Sequence, residues 1–182
     1  MATDYQAAEA ELSTLRDFLR WTASRFEEAR LFFGHGNNDA FNEATQLILH
    51  SLKLPVTELP EIFLDARLCH DEKRALLKLV KRRIEERVPV PYLTHEAWFA
   101  GLPFYVDDRV LIPRSPFAEL IDSQFAPWVQ EPGSVERILD MCTGSACIAI
   151  ALSMTFENAE VDAVDISEAS LSVAQINKNK HL

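Results

Sequence analysis

Two aspartates, Asp140 and Asp165, stand 25 positions apart, and each closes a short apolar run. Asp140 is followed by Met141-Cys142-Thr143-Gly144-Ser145-Ala146, in which residues 142, 144 and 146 are small. Small residues let a backbone turn sharply and let a ligand lie against it. An apolar helix opening at Ser145 directs free N–H groups over such a turn. A carboxylate at the carboxyl end of the neighbouring strand can accept both hydroxyls of a ribose. The stretch therefore predicts a nucleoside site at the carboxyl edge of a parallel sheet, built on residues 142–146 and Asp165.

The spacing bears on which nucleoside. A dinucleotide fingerprint, G-x-G-x-x-G, places its last glycine three residues after its second. Counted from Gly144 that position is Cys147, so a nicotinamide-binding half is a poor fit. The other spacing is an acid-terminated strand followed by G-x-G-x-G, met here by Cys142, Gly144 and Ala146. Only one of the three is glycine, and the weight rests on the whole unit of strand, turn, helix, strand and second acid.

The elements that must position these residues are legible in outline. Val135 to Asp140 and Glu160 to Val164 read as strands, with a helix between them. Ahead of them, Phe117 to Trp128 reads as a helix. Residues 97–112 read as β-hairpin material with turn signals at Gly101 and Asp107-Asp108. Val88-Pro89-Val90-Pro91 reads as a stiff linker. Before it lie helices over Tyr5 to Phe33, a second capped by Asp39, Glu61 to Leu68, and Asp71 to Val88. The second carries Phe41, Ala44, Leu47, Ile48 and Ser51 along one side, and Gly34-His35-Gly36-Asn37-Asn38 breaks the chain before it. His35 and His50 read as solvent or packing residues. The expected domains are 1–88, helical; 89–116, linker and hairpin; and 117–182, the nucleoside-binding α/β part.

The 182 residues are 48% hydrophobic and 25% charged, an ordinary globular composition. No apolar run approaches a membrane span. No leader pattern is visible, and three cysteines in no metal spacing suit a reduced cytoplasmic chain without a metal site. The net charge is −10, which disfavours direct nucleic-acid binding and suits either a basic protein partner or simple solubility. Lys81-Arg82-Arg83 stands out as a basic run. It reads as a solvated helix face with i,i+4 ion pairs, or as a patch for RNA or an acidic partner.

Strand, Asp140, turn, helix, strand and Asp165 together resemble the first two motifs of class I S-adenosylmethionine-dependent methyltransferases. The run Asp108-Arg-Val-Leu-Ile-Pro-Arg-Ser-Pro-Phe-Ala-Glu-Leu-Ile121 and the run Arg87 to Tyr105 narrow this to the HemK-type protein-glutamine methyltransferases. Arg114-Ser115-Pro116 and Asp140-Met-Cys-Thr-Gly-Ser145 are more similar to the branch that acts on a large-subunit ribosomal protein than to the release-factor branch. The resemblance implies a helical recognition domain, a hairpin and the first part of a Rossmann-like domain. It implies S-adenosylmethionine over Cys142, Thr143, Gly144, Ser145 and Ala146, with its ribose on Asp165 and its adenine beside Ile166. Asp140 would brace the turn or approach the methionine amine, and Arg114 would order the hairpin. The basic ribosomal protein would be the partner. Residue 146 departs from the family, which usually has glycine there, and a methyl at that position either weakens cofactor binding or forces the turn if its φ is positive.

The family's catalytic Asn-Pro-Pro-Tyr lies further along than Leu182, and no Asn-Pro occurs here. No catalytic residue is therefore expected among these 182, and the chain alone is expected not to methylate. Its closing ~20 residues are expected to be loose or paired with another chain, since a two-strand parallel sheet is exposed at both edges. A non-catalytic protein-binding module is the alternative from a different class.

Overall fold

A computed structural model describes residues 4–34, 39–55 and 59–182. Its helices and small sheets make it a mixed α/β protein. It divides into two compact units, Met1–Thr94 and His95–Leu182.

The first unit is helical. The single helix expected over residues 5–33 is two helices, α1 (Tyr5–Glu11) and α2 (Leu15–Glu28). The break is chemical. Thr14 Oγ1 accepts from the Asp17 N–H, and the Asp17 carboxylate accepts from the Ser13 and Thr14 N–H groups. This reciprocal capping box starts a new helix at Leu15 in spite of the continuing apolar period. Helix α3 (Ala40–Ser51) is capped by Asp39, whose carboxylate accepts from the Asn42 N–H at 2.8 Å. It buries Ala44, Leu47 and Ile48, as the period implies, whereas Phe41 faces solvent. The expected break at residues 35–38, with His35, lies outside the described residues.

Residues 61–65 form a 3-10 turn in place of the longer helix expected to Leu68. Helix α4 (His70–Glu85) follows. The proline run read as a linker is the short helix α5 (Val90–Thr94). Pro91 sits in its first turn, where a missing N–H is tolerated. Val90 and Leu93 are buried with Phe18, Phe26, Leu47 and Leu76 in this unit's core.

The second unit opens with β1 (Ala97–Phe99) and β2 (Leu102–Phe104), an antiparallel hairpin with Ala97 opposite Phe104. Its two-residue turn has φ of 48° at Ala100 and 76° at Gly101. Both values are left-handed, as a type I′ turn demands. Ala100 is exposed and pays the steric penalty of that region for no packing gain. Ala100→Asn is expected to raise stability by about 0.5–1 kcal/mol, because Asn tolerates the left-handed conformation. A lower melting temperature than that of the unsubstituted chain would contradict the turn geometry. The turn expected at Asp107-Asp108 is present, but Arg109 to Ile112, expected as hairpin material, forms no strand. The turn is held by side chains described below.

Helix α6 (Phe117–Asp122) is half the length expected. It ends where Gln124 and Phe125 take positive φ. The central unit follows: β3 (Arg137–Met141), α7 (Cys147–Thr155), β4 (Glu160–Val164) and α8 (Glu168–His181). Strands β3 and β4 pair in parallel, with Ile138 beside Val161 and Asp140 beside Ala163. Side chains alternate across a strand, so residues 138, 140, 161 and 163 share one face. Ile138 and Val161 pack against this unit's core cluster, which includes Ala146, Ala149 and Ile150. The opposite face presents Leu139 and Met141, which are 57% and 64% exposed.

The closing segment is helical. Helix α8 runs on to His181, capped by Ser167 and seated through Ser170, Val173, Ala174 and Asn177. The His181 ring nitrogen bonds the Pro103 carbonyl at 2.9 Å, and its ring lies against Phe104.

Candidate functional site

The turn joining β3 to α7 carries three left-handed residues: Cys142 at φ 61°, Gly144 at 57° and Ala146 at 63°. Two of these are not glycine, a backbone state L residues enter only at a cost. The alternation of small residues at 142, 144 and 146 is thus the alternation of left-handed positions. Helix α7 starts at Cys147, two residues later than expected, because Ala146 is still left-handed and serves as its cap.

The turn is held almost peptide by peptide. The Thr143 N–H donates to the Val164 carbonyl at 3.0 Å, and the Ala146 N–H donates to the Thr143 carbonyl at 3.0 Å. The Gly144 N–H donates to Asp165 Oδ2 at 2.9 Å. The Thr143 hydroxyl donates to Asp140 Oδ2 at 2.6 Å. Asp140 therefore braces the turn, one of its two expected roles. Asp165 occupies the edge beyond β4, as expected, and also holds the turn. Its second oxygen accepts from the Ser167 N–H at 2.9 Å. The Ser167 and Gly144 N–H groups hold this carboxyl below the usual aspartate range. It is ionised at neutral pH, and each oxygen keeps a lone pair for another donor.

Space over the turn is open. A Cβ built on Gly144 would meet nothing within 4 Å. Cys142 and Ile166 are exposed, while Thr143, Ser145 and Ala146 are buried. The structure thus brings Asp140, residues 142–146 and Asp165 together. Ile166 is adjacent to Asp165 in the chain and touches solvent over its whole side chain. Thr143 and Ala146 also border a cavity of about 460 Å³ between α7, β4 and α8.

Two features escaped the sequence. One is Asn177, fully buried, whose amide reaches the turn from α8. An Asn on a helix with no caps or motif around it gives no signal that it points inward. The other is a polar cluster after β2. The Tyr105 hydroxyl donates to Asp107 Oδ2 at 3.0 Å, and the Arg109 guanidinium donates to both Asp107 oxygens. The Tyr105 ring stacks on His95 at 5.3 Å. Ser170 ties this turn to α8 by donating to the Arg109 carbonyl at 3.1 Å.

Arg109 beside Asp107 is the chief reason the Asp107 carboxyl falls to about 2, from an ordinary value of 3.8. The folded state therefore binds this proton more weakly than the unfolded chain. Its contribution to stability is complete above about pH 4 and is lost as pH falls towards 2. Thermal melts between pH 5 and pH 2 should show a fall whose slope is smaller in Asp107→Asn. Equal slopes would remove Asp107 from the acid response.

Among the described residues no cluster of His, Cys, Asp or Glu could hold a metal ion. Among them no helix is long and apolar enough to cross a membrane.

No family model matches the chain. It is 51% identical over 168 residues to the ribosomal protein uL3 glutamine methyltransferase of Burkholderia pseudomallei, covering 92% of this chain and 54% of that protein. It is 52% identical over 167 residues to the protein of the same name from Bordetella pertussis, covering 92% of this chain and 56% of that one. The chain is a homologue of the ribosomal-protein glutamine methyltransferases. It spans about half the length of the curated relatives it matches. All eight residues singled out around the turn and Asp165 lie in the second unit of this homologue.

Proposed function

We propose that this homologue carries the cofactor-binding part of an S-adenosylmethionine-dependent methyltransferase that modifies a glutamine side-chain amide in a large-subunit ribosomal protein. The observation that carries the reading is the braced left-handed turn with open space over Gly144 and an ionised carboxylate beside it. The identity of 51–52% to two proteins named for that reaction supports the substrate class. The parallel β3–α7–β4 unit is then the start of a class I, Rossmann-like domain, and residues 1–88 its helical recognition part. Residues 89–116 would carry the connection and hairpin, and residues 117–182 the first part of the catalytic domain.

The residues present fit such a cofactor. S-adenosylmethionine supplies a methyl group made electrophilic by a sulfonium. Gly144, with no side chain and open space above it, offers a backbone surface for the ligand, flanked by Cys142, Thr143, Ser145 and Ala146. Asp165 offers two lone pairs to ribose hydroxyls without giving up its hold on Gly144 and Ser167. Ile166 offers an exposed apolar face for the base. Asp140 acts by fixing Thr143. Binding and orientation are the tasks of these groups, and orientation is worth several kcal/mol when the nucleophile is as weak as an amide. No catalytic residue is assigned among residues 1–182, which contain no Asn-Pro. The partner is a basic protein in the cytoplasm, met by a chain of net charge −10, and direct nucleic-acid binding plays no part.

The test is made in cells. Deleting the gene should leave one large-subunit ribosomal protein lighter by a single methyl group, mapped to a glutamine by fragment masses. Unchanged masses across the ribosomal proteins would refute the substrate class.

A further inference from the structure

Ala146 is one of the two strained non-glycine residues of the turn, the other being Cys142. The peptide joining Ser145 to Ala146 sets the φ of Ala146, and both ends of that peptide are held. Its N–H donates to the Thr143 carbonyl, and its C=O accepts from Asn177 Nδ2 at 2.9 Å. The remaining groups of the Asn177 amide grip one other residue. Oδ1 accepts from the Tyr105 N–H at 2.7 Å, and Nδ2 also donates to the Tyr105 carbonyl at 3.0 Å. Asn177 has no exposed surface, so every bond it makes is to protein. Both N–H groups are used, and no other side chain here supplies two donors and an acceptor in that volume. A strained backbone persists only when its surroundings over-determine it.

We propose that Asn177 is a positioning residue for the cofactor turn: it fixes the Ser145–Ala146 peptide against the segment leaving β2 and so holds the left-handed geometry under the ligand. The proposal deepens the cofactor reading of that turn and rests on it for its functional meaning. A packing role alone would make Asn177 a filler between α8 and the hairpin. A positioning role makes it specific to the strain at residue 146.

Asn177→Asp keeps the volume and the acceptor but removes both donors, so it separates the two roles. Amide hydrogen exchange of the 182-residue chain is the first readout. Exchange at residues 143–146 is expected to quicken by about ten-fold or more, with α2 unchanged. The second readout is the double substitution Asn177→Asp with Ala146→Gly. Glycine removes the strain, so it should restore a large part of the melting temperature lost by Asn177→Asp, and the two changes should not add. If Asn177→Asp does not fold, Asn177→Ser is compared in the same way. The third readout is calorimetry with S-adenosylmethionine, where Asn177→Asp should weaken binding by about ten-fold. Uniform acceleration of exchange across the second unit, or strictly additive losses, would overturn the positioning role. So would cofactor affinity unchanged in a variant whose turn exchanges faster. A chain that gives the exchange and rescue results yet never binds S-adenosylmethionine would uphold the hold on the turn and reject the cofactor reading instead.

Discussion

Arg83→Met should destabilise the helical unit by about 3–5 kcal/mol, the usual penalty for orphaning one partner of a buried ion pair. Arg83 and Glu43 are 4% and 2% exposed, and Nε meets Oε1 at 2.6 Å. The guanidinium also donates to the Phe32 carbonyl at 2.9 Å. Removing Arg83 leaves a buried carboxylate without its counter-charge. Burial already pushes the Glu43 carboxyl upward, against the pull of the Arg83 hydrogen bond. Without Arg83 it rises further. A carboxyl raised in the folded state binds its proton more tightly than in the unfolded chain, so the deficit should shrink as pH falls. Urea melts at pH 7 and pH 5 check both points. Glu43→Leu combined with Arg83→Met should recover most of the loss, because an apolar pair of similar volume removes the buried charge altogether. A loss below about 1 kcal/mol, the range of exposed pairs, would mean that water reaches the pair.

Gly144→Val is expected to act on the site more than on the fold. At φ 57° a β-branched residue is strained, and about 1–2 kcal/mol of stability should be lost. No neighbour would be struck, since a Cβ at residue 144 points into open space. That space is where the account puts the cofactor. S-adenosylmethionine binding should therefore fall by more than about a hundred-fold, as the branched side chain occupies the ligand's place. Calorimetry on folded protein separates this from unfolding. Affinity reduced only as far as the unfolded fraction explains would place the ligand elsewhere.

The same turn shows why the sequence was informative in one place and silent in others. Alternating small residues between two acids are a local signal for a tight turn, but left-handed φ at Cys142 and Ala146 was not fixed by it, since only Gly144 favours that region. The cap at Asp39 and the parallel pairing of β3 with β4 were readable for the same reason. The α1–α2 break was present as Ser13-Thr14-x-x-Asp17, but an unbroken apolar period outweighed it in the reading. Long-range pairings left no trace. Lys81 and Arg82 make the expected i,i+4 contacts with Glu85 and Glu86, but Arg83 turns inward to a glutamate 40 positions away. Nothing local distinguishes it from its neighbours. The short α5 was hidden by its prolines, which mark a linker and a helix start alike. Asn177 reaches Tyr105 across 72 positions, a contact that only the folded arrangement of α8 against β2 creates.

The central claim is that the 142–146 turn and Asp165 bind S-adenosylmethionine, and titration of the cofactor into the 182-residue chain tests it most directly. The account predicts saturable binding in the micromolar range, weakened about ten-fold or more by Asp165→Ala, since the carboxylate both receives the ribose hydroxyls and holds the Gly144 N–H. The variant's folding is followed by its circular dichroism in parallel. No heat of binding from the folded chain, or equal affinity in Asp165→Ala, would contradict the account.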